Sequence, residues 1–144
     1  GVAGGLAGDD PFIILGDYNA DPNEGDSYDR AIYQLLDNPA IQDPLPQSRG
    51  AVAAAAAQGG VNAAHVTPAR LDTADFRDDT ETSVGNLRID YVLPSRRGIE
   101  IVGAGVYWPE PGQSGFDLVG EGYPVISSDH RLVWVDIKPK AQED

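Results

Sequence analysis

Cysteine and methionine are both absent from these 144 residues. Without cysteine there is no disulfide and no thiolate metal site, so any metal must be held by oxygen or imidazole ligands. That absence suits an exported and a cytosolic protein equally. Histidine is scarce as well, with 2 residues, His65 and His130, so imidazole chemistry near neutral pH has few places to reside. Basic residues are outnumbered: 10 Lys and Arg stand against 23 Asp and Glu, for a formal net charge of -13. A field of that sign repels polyanions and draws cations. Tracking a nucleic-acid duplex needs several Lys or Arg on phosphates. The only adjacent basic pair here, Arg96-Arg97, reads as a solvated turn. No apolar run approaches the roughly 20 residues of a membrane span. Nor does a basic stretch followed by an apolar one succeed Gly1, so an export signal is expected to have been removed or never present.

What is present reads as one folded domain, since 41% hydrophobic and 23% charged residues are ordinary for a globular chain of this length. Residues 1–10 are Gly- and Ala-rich without period and read as a lead-in, which leaves a core over 11–138. Phe12-Ile13-Ile14-Leu15 is apolar on both faces of a period-two strand and predicts a central strand covered on each side. Asp26 or Ser27 can cap a helix whose apolar stripe is Tyr28, Ala31, Ile32, Leu35 and Leu36, with Asn38-Pro39 as its stop. From about 39 to 82 there is little period, which predicts a long loop. Within it the run Ala51 to Ala57 reads as a short helix or, preferentially, as a low-complexity surface insertion. Leu87, Ile89, Tyr91 and Leu93 then alternate with Arg88, Asp90 and Val92, as in a strand that carries Asp90 on its second face and ends at Pro94. Ile99 to Trp108 predicts another strand, bent at Gly103 and Gly105. Pro109 to Pro124 predicts a loop, and Arg131 to Ile137 a last strand. The sum is a β-rich α/β layer whose doubly apolar strands need cover from elsewhere.

Three carboxylate motifs lie on or beside strands. Gly16-Asp17-Tyr18-Asn19 follows the first strand, and Asp90 lies on the second face of the Leu87 strand. Asp129-His130 opens the last one. An isolated Asp-His pair is ordinarily a solvated acid beside a half-buried ring. Here the ring sits beside a residue type that binds hard metals, and a third carboxylate lies on an interior-looking strand. An Asp among Leu, Ile, Tyr and Val needs a donor or a cation to offset desolvation. A histidine partner would supply one, while the carboxylate would fix the imidazole tautomer and leave the other nitrogen for a phosphate or a proton. The plainer alternative pairs Asp90 with Arg88 or places it on a solvent face. Asp17, Asn19 and Asp21 also begin an Asp-x-Asn-x-Asp calcium loop. That pattern fails where it requires Gly and Glu, because Pro22 and Tyr28 stand there.

Taken in order, ILGDYNADP, LRIDYVLPS and SSDHRLVWVDI resemble the endonuclease/exonuclease/phosphatase superfamily, and the three motifs extend over residues 12 to 137. The resemblance implies an α/β (α+β) protein, a four-layered α/β/β/α sandwich of mixed, largely antiparallel sheets, with residues 1–144 forming its C-terminal half. It implies a divalent-metal-dependent phosphoester hydrolase, a phosphodiesterase or phosphatase. Asp17 would orient the attacking water, and Asn19 would hold the nucleophile or a phosphate oxygen. Asp90 would pair with His130, whose ring would face the scissile phosphate, and Asp129 would help bind Mg2+ or Mn2+, with Ca2+ as a further candidate. The family's N-terminal half supplies an Asn, a Glu and a further His that this chain lacks, so that half is the expected partner. Charge favours a small or lipid phosphoester over duplex DNA. The stretches QGGVNAAH, DTADF and GVYWP resemble a bacterial, often exported subgroup, which implies a secreted or periplasmic setting. Asn62, His65, Asp72 and Asp75 read either as the lining of a substrate mouth or as loop residues without that role. The alternative to an enzyme is a non-catalytic binding module, or an inactive fragment, with the same fold.

Overall fold

In the computed structural model, residues 10–76, 78–80, 82–120 and 125–140 are described; the lead-in predicted over 1–10 lies almost wholly outside them. Strand β1 (Ile13–Asp17) pairs antiparallel with β2 (Asp90–Pro94), Ile13 opposite Pro94 and Asp17 opposite Asp90. Strand β3 (Ile99–Tyr107) pairs antiparallel with β4 (Leu132–Pro139). Their register slips between Ile101 and Gly103, close to the predicted bend. Short α-helices α1 (Tyr33–Leu36) and α3 (Phe116–Val119) and the longer α2 (Arg49–Gln58) accompany them. Mixed helix and antiparallel strand in two small sheets make this an α+β arrangement.

Of the alternation read from residues 87 to 93, the apolar face is buried, with Leu87, Ile89, Tyr91 and Leu93 all within the core, and Arg88 on the other face is buried as well. Tyr91 and Leu93 pack with Ala20, Ile32 and Ile41, and Phe12, Ile14 and Tyr18 close over them. The Tyr91 hydroxyl lies 2.9 Å from the carbonyl oxygens of Ala20 and Arg88, which ties the turn after β1 to the start of β2.

Four expectations are corrected. Strand β1 is covered on one side only: Ile14 faces the core, whereas Leu15 is 65% exposed. A strand can be buried on both faces only if layers exist on both, and among the described residues its one strand neighbour is β2. The helix expected from residue 26 shortens to Tyr33–Leu36, because Arg30 takes φ 58, a left-handed conformation that interrupts a right-handed helix, and Tyr28 is exposed. The Ala run is not a surface insertion. It is helix α2, with Ala51 and Ala55 buried and Ala51 packed on Val106, Trp108 and Val119. The loop predicted over 109–124 contains α3, whose Val119 belongs to the same cluster; residues 121–124 lie outside the described set.

Helix α2 starts where it does because Ser48 caps it. The Ser48 hydroxyl accepts from Gly50 N and Ala51 N, and also donates to the Trp108 carbonyl at 2.7 Å. Small side chains then let the helix close onto the end of β3. A Cβ on Gly50 would fall 1.9 Å from the Trp108 carbonyl oxygen, so no larger residue fits without moving backbone. Gly50→Ala is expected to destabilise the protein by about 1–3 kcal/mol through overpacking, read as a lower midpoint in thermal or urea unfolding. An unchanged midpoint would show that helix and strand can separate freely.

Candidate active site

The register of β1 and β2 sets Asp17 and Asp90 directly across from each other. Like charges in that position repel, so the pair calls for a compensating cation or proton. His130 supplies a candidate. Its Nδ1 lies 3.1 Å from both carboxylate oxygens of Asp90, and donor atoms of Asp17, Asp90 and His130 all fall within 4.8 Å of one another. A carboxylate facing Nδ1 places the ring proton there and leaves Nε2 free. Asn19, at φ 47, folds back so that its backbone N and its side-chain nitrogen each donate to Asp17 at 2.9 Å, which fixes both oxygens of that exposed carboxylate. Arg88, the alternative partner for Asp90, turns elsewhere: its guanidinium pairs with Asp43 and lies over the Tyr91 ring.

A short segment, residues 72–75, joins the two halves of this cluster. Thr73 N and Ala74 N donate to Leu87 O, at 2.8 and 3.0 Å, while Asp75 N donates to Asp129 O and Arg131 N to Thr73 O, both at 2.7 Å. The Thr73 hydroxyl donates to Asp90 Oδ2 at 2.8 Å. Arg131 pairs with Asp75 at 2.8 Å, both side chains nearly inaccessible, and its guanidinium also lies over Trp108. Gln58 of α2 donates to the other Asp75 oxygen at 2.7 Å.

Of the remaining residues singled out in the sequence, Asp129 is half-buried and is not one of the clustered three; its carbonyl accepts from Asp75. Asn62 is buried, and its side-chain oxygen accepts from Asn86 N at 2.7 Å. His65 is half-buried three residues further on, with its backbone N donating to Asn62 O. Asp72 and Asp75 are each 2% exposed and so face the interior. Asp21, third in the Asp-x-Asn-x-Asp run, accepts from Asn23 N, Glu24 N, Thr67 Oγ1 and Arg88 N and thereby knits the loop after β1 to residues 67 and 88.

Thr73 and Phe76 were not picked out from the sequence. Phe76 meets the His130 ring edge-on at 5.9 Å between centroids. With Asn19, Asp26, Ser83 and Leu87 it also lines a cavity of about 440 Å³ beside the cluster. Both follow the acid and histidine motifs only in space, and the sole sequence hint was their place inside DTADF.

Burial raises the pKa of Asp90, bonds from Thr73 and His130 oppose the rise, and the Asp17 charge adds to it. Asp72 is pushed up to about 8, chiefly by burial and then by the charges of Asp21 and Glu24, and its Oδ1 has no hydrogen-bond partner. It is therefore largely protonated at neutral pH. A folded pKa near 8 against 3.8 for the free group means that its contribution to stability is complete below pH 3.8 and is lost as pH climbs through 8. Asp72→Asn is accordingly expected to flatten the fall in melting temperature between pH 5 and pH 8. Parallel curves for variant and wild type would show that Asp72 is not the titrating group.

No curated protein and no solved structure matches the chain. The model of the Endonuclease/Exonuclease/phosphatase family matches residues 1–130, a span that takes in Asp17, Asn19, Asp90, Asp129 and His130. By that match, and with the acid-histidine cluster at the paired strand ends, the chain belongs to the endonuclease/exonuclease/phosphatase family.

Proposed function

We propose that this chain carries the C-terminal part of the active site of a divalent-metal-dependent phosphoester hydrolase. The observation that supports the reading is the convergence of Asp17, Asp90 and His130 donor atoms within 4.8 Å. Two carboxylates beside one imidazole make this corner of the molecule anionic and so favour a divalent cation, Mg2+, Mn2+ or Ca2+, next to them. When bound, such an ion would offset charge on the phosphate and acidify a water. Asp129 is the proposed metal ligand. Asp17, steadied by Asn19, orients the attacking water, and Asn19 also contacts the nucleophile or a phosphate oxygen. Asp90 holds the His130 tautomer so that Nε2 faces the scissile phosphate. Asn62, Asp72 and Asp75, being buried, would act from behind the site, and of the four candidates for a substrate mouth His65 is the most accessible. The cavity walled by Phe76 and Asn19 is the proposed seat of the esterified group.

A net charge of -13 supports a small or lipid phosphoester over duplex DNA. The motif likeness to an exported bacterial subgroup supports an extracytoplasmic setting. Leu132 is 67% and Trp134 42% exposed on β4, and Leu15 stands out from β1. These uncovered apolar faces support the inference that an N-terminal half with further strands and helices completes a four-layered sandwich. They equally support a second reading, a non-catalytic module that docks a partner there.

The test is hydrolysis of bis(p-nitrophenyl) phosphate and p-nitrophenyl phosphate by the protein from its natural source, with Mg2+ or Mn2+. Asp17→Ala and His130→Ala are each expected to lower kcat by about 100-fold or more, and Asp129→Ala to weaken metal binding. No cleavage of either ester by any form, with metal affinity unchanged in Asp129→Ala, would overturn the hydrolase reading in favour of the binding module. A steep loss of DNA cleavage with added salt would overturn the substrate preference.

A further inference from the structure

We propose that Thr73 is a positioning residue for the Asp90 and His130 pair, acting through its hydroxyl on the Asp90 carboxylate. The inference rests on the hydrolase reading for its catalytic meaning, though not for its geometry. Thr73 is fully buried, so it touches no substrate. Its hydroxyl accepts from Ile89 N and Asp90 N, each at 3.0 Å, and lies 2.8 Å from Asp90 Oδ2. A hydroxyl has one proton and two lone pairs. With both lone pairs engaged by backbone donors, the proton has a single destination, the catalytic carboxylate.

That bond fixes the rotation of the Asp90 side chain. A carboxylate free to turn would present one oxygen or the other to His130, whereas here both lie 3.1 Å from Nδ1. The support is itself immobilised. Thr73 N is held by Leu87 O, and Thr73 O by Arg131 N. The next two residues continue the splint, with Ala74 bridging both Leu87 and His130 and Asp75 anchored on Arg131. One extended segment therefore spans the two chain stretches that bring Asp90 and His130 together. A threonine that served only to satisfy two backbone donors would not need its proton aimed at the carboxylate.

Thr73→Val keeps the shape and removes the hydroxyl, while Thr73→Ser restores it. On bis(p-nitrophenyl) phosphate, Thr73→Val is expected to lose about 100-fold in kcat, the scale of a misplaced catalytic group, with KM little changed, and Thr73→Ser to recover most of it. An independent readout is the downfield Nδ1 proton resonance of His130 in the NMR spectrum. It is expected in wild type and Thr73→Ser and to vanish by exchange in Thr73→Val, with the His65 signals unmoved. Should Thr73→Val fail to fold, Thr73→Cys, similar in volume but a weaker donor, carries the same two measurements. A folded variant without the hydroxyl that keeps both kcat and the Nδ1 resonance would overturn the proposal. If no form of the protein hydrolyses the ester but the resonance still follows the hydroxyl, the positioning role stands and the hydrolase reading falls.

Discussion

The arrangement depends on one buried ion pair. Arg131 and Asp75 meet at 2.8 Å with side chains 2% and 4% exposed, a setting in which desolvation opposes charge and only added partners make the pair tenable. Those partners come from every direction: Gln58 from α2, the Ser128 carbonyl from the turn before β4, and the Trp108 ring from the end of β3. Removing one member would strand the other as an uncompensated charge, a loss of about 3–5 kcal/mol in comparable cases. A hydrophobic pair could give as much stability, yet it would not dictate geometry. The ionic pair fixes residue 75 against residue 131, and with it the segment that holds Asp129 and His130 in place.

Polar specificity of this kind is needed because the apolar interior is divided. Ala20, Ile32, Tyr91 and Leu93 form one cluster, Ala51, Val106 and Trp108 another, and Ala74, Leu87 and Ile89 a third. The seams between them are filled by side chains whose bonds cross long stretches of sequence. Asp21 reaches Thr67 and Arg88, Asn62 reaches Asn86, and Thr73 reaches Asp90. Hydrophobic burial is non-directional, so clusters this small could slide, whereas each polar crossing permits one register. Asp17 opposite Asp90 is the outcome that matters, since a slip of one residue would send one carboxylate to the other face.

Much of this was legible in the sequence where a local rule and the tertiary structure agree. The apolar positions from Leu87 to Leu93 were legible because the side that carries them packs into the core. Asp17, Asn19 and His130 could be named because each stands beside a strand end, and Asp90 because a carboxylate among alternating Leu, Ile and Tyr needs a partner. Where context overrides locality, reading failed. The stripe from Tyr28 to Leu36 has helical spacing, but spacing does not encode the left-handed turn at Arg30. The Ala run carries almost no amphipathic signal, since residues so small bury by close approach rather than by contrast, and it is the Trp108 carbonyl against Gly50 that reveals its docking. Thr73 was invisible for a related reason: its partners lie on Ile89 and Asp90, and no period in its own neighbourhood points there.

Electrostatics then links fold to chemistry. A chain of net charge -13 repels a phosphate anion at long range, so positive charge must be concentrated where the ester would sit. The two guanidiniums closest in sequence to the cluster are committed elsewhere, Arg88 to Asp43 and Arg131 to Asp75. Among the described residues, Arg88 and Arg131 thus build the interior, and the cluster is an imidazole flanked by carboxylates. Such a group of carboxylates is itself anionic and would deter the substrate unless a cation joined it. In the proposed hydrolase a divalent ion would therefore offset the charge that the few basic residues leave uncompensated, and the same distribution would disfavour a long polyanion as substrate.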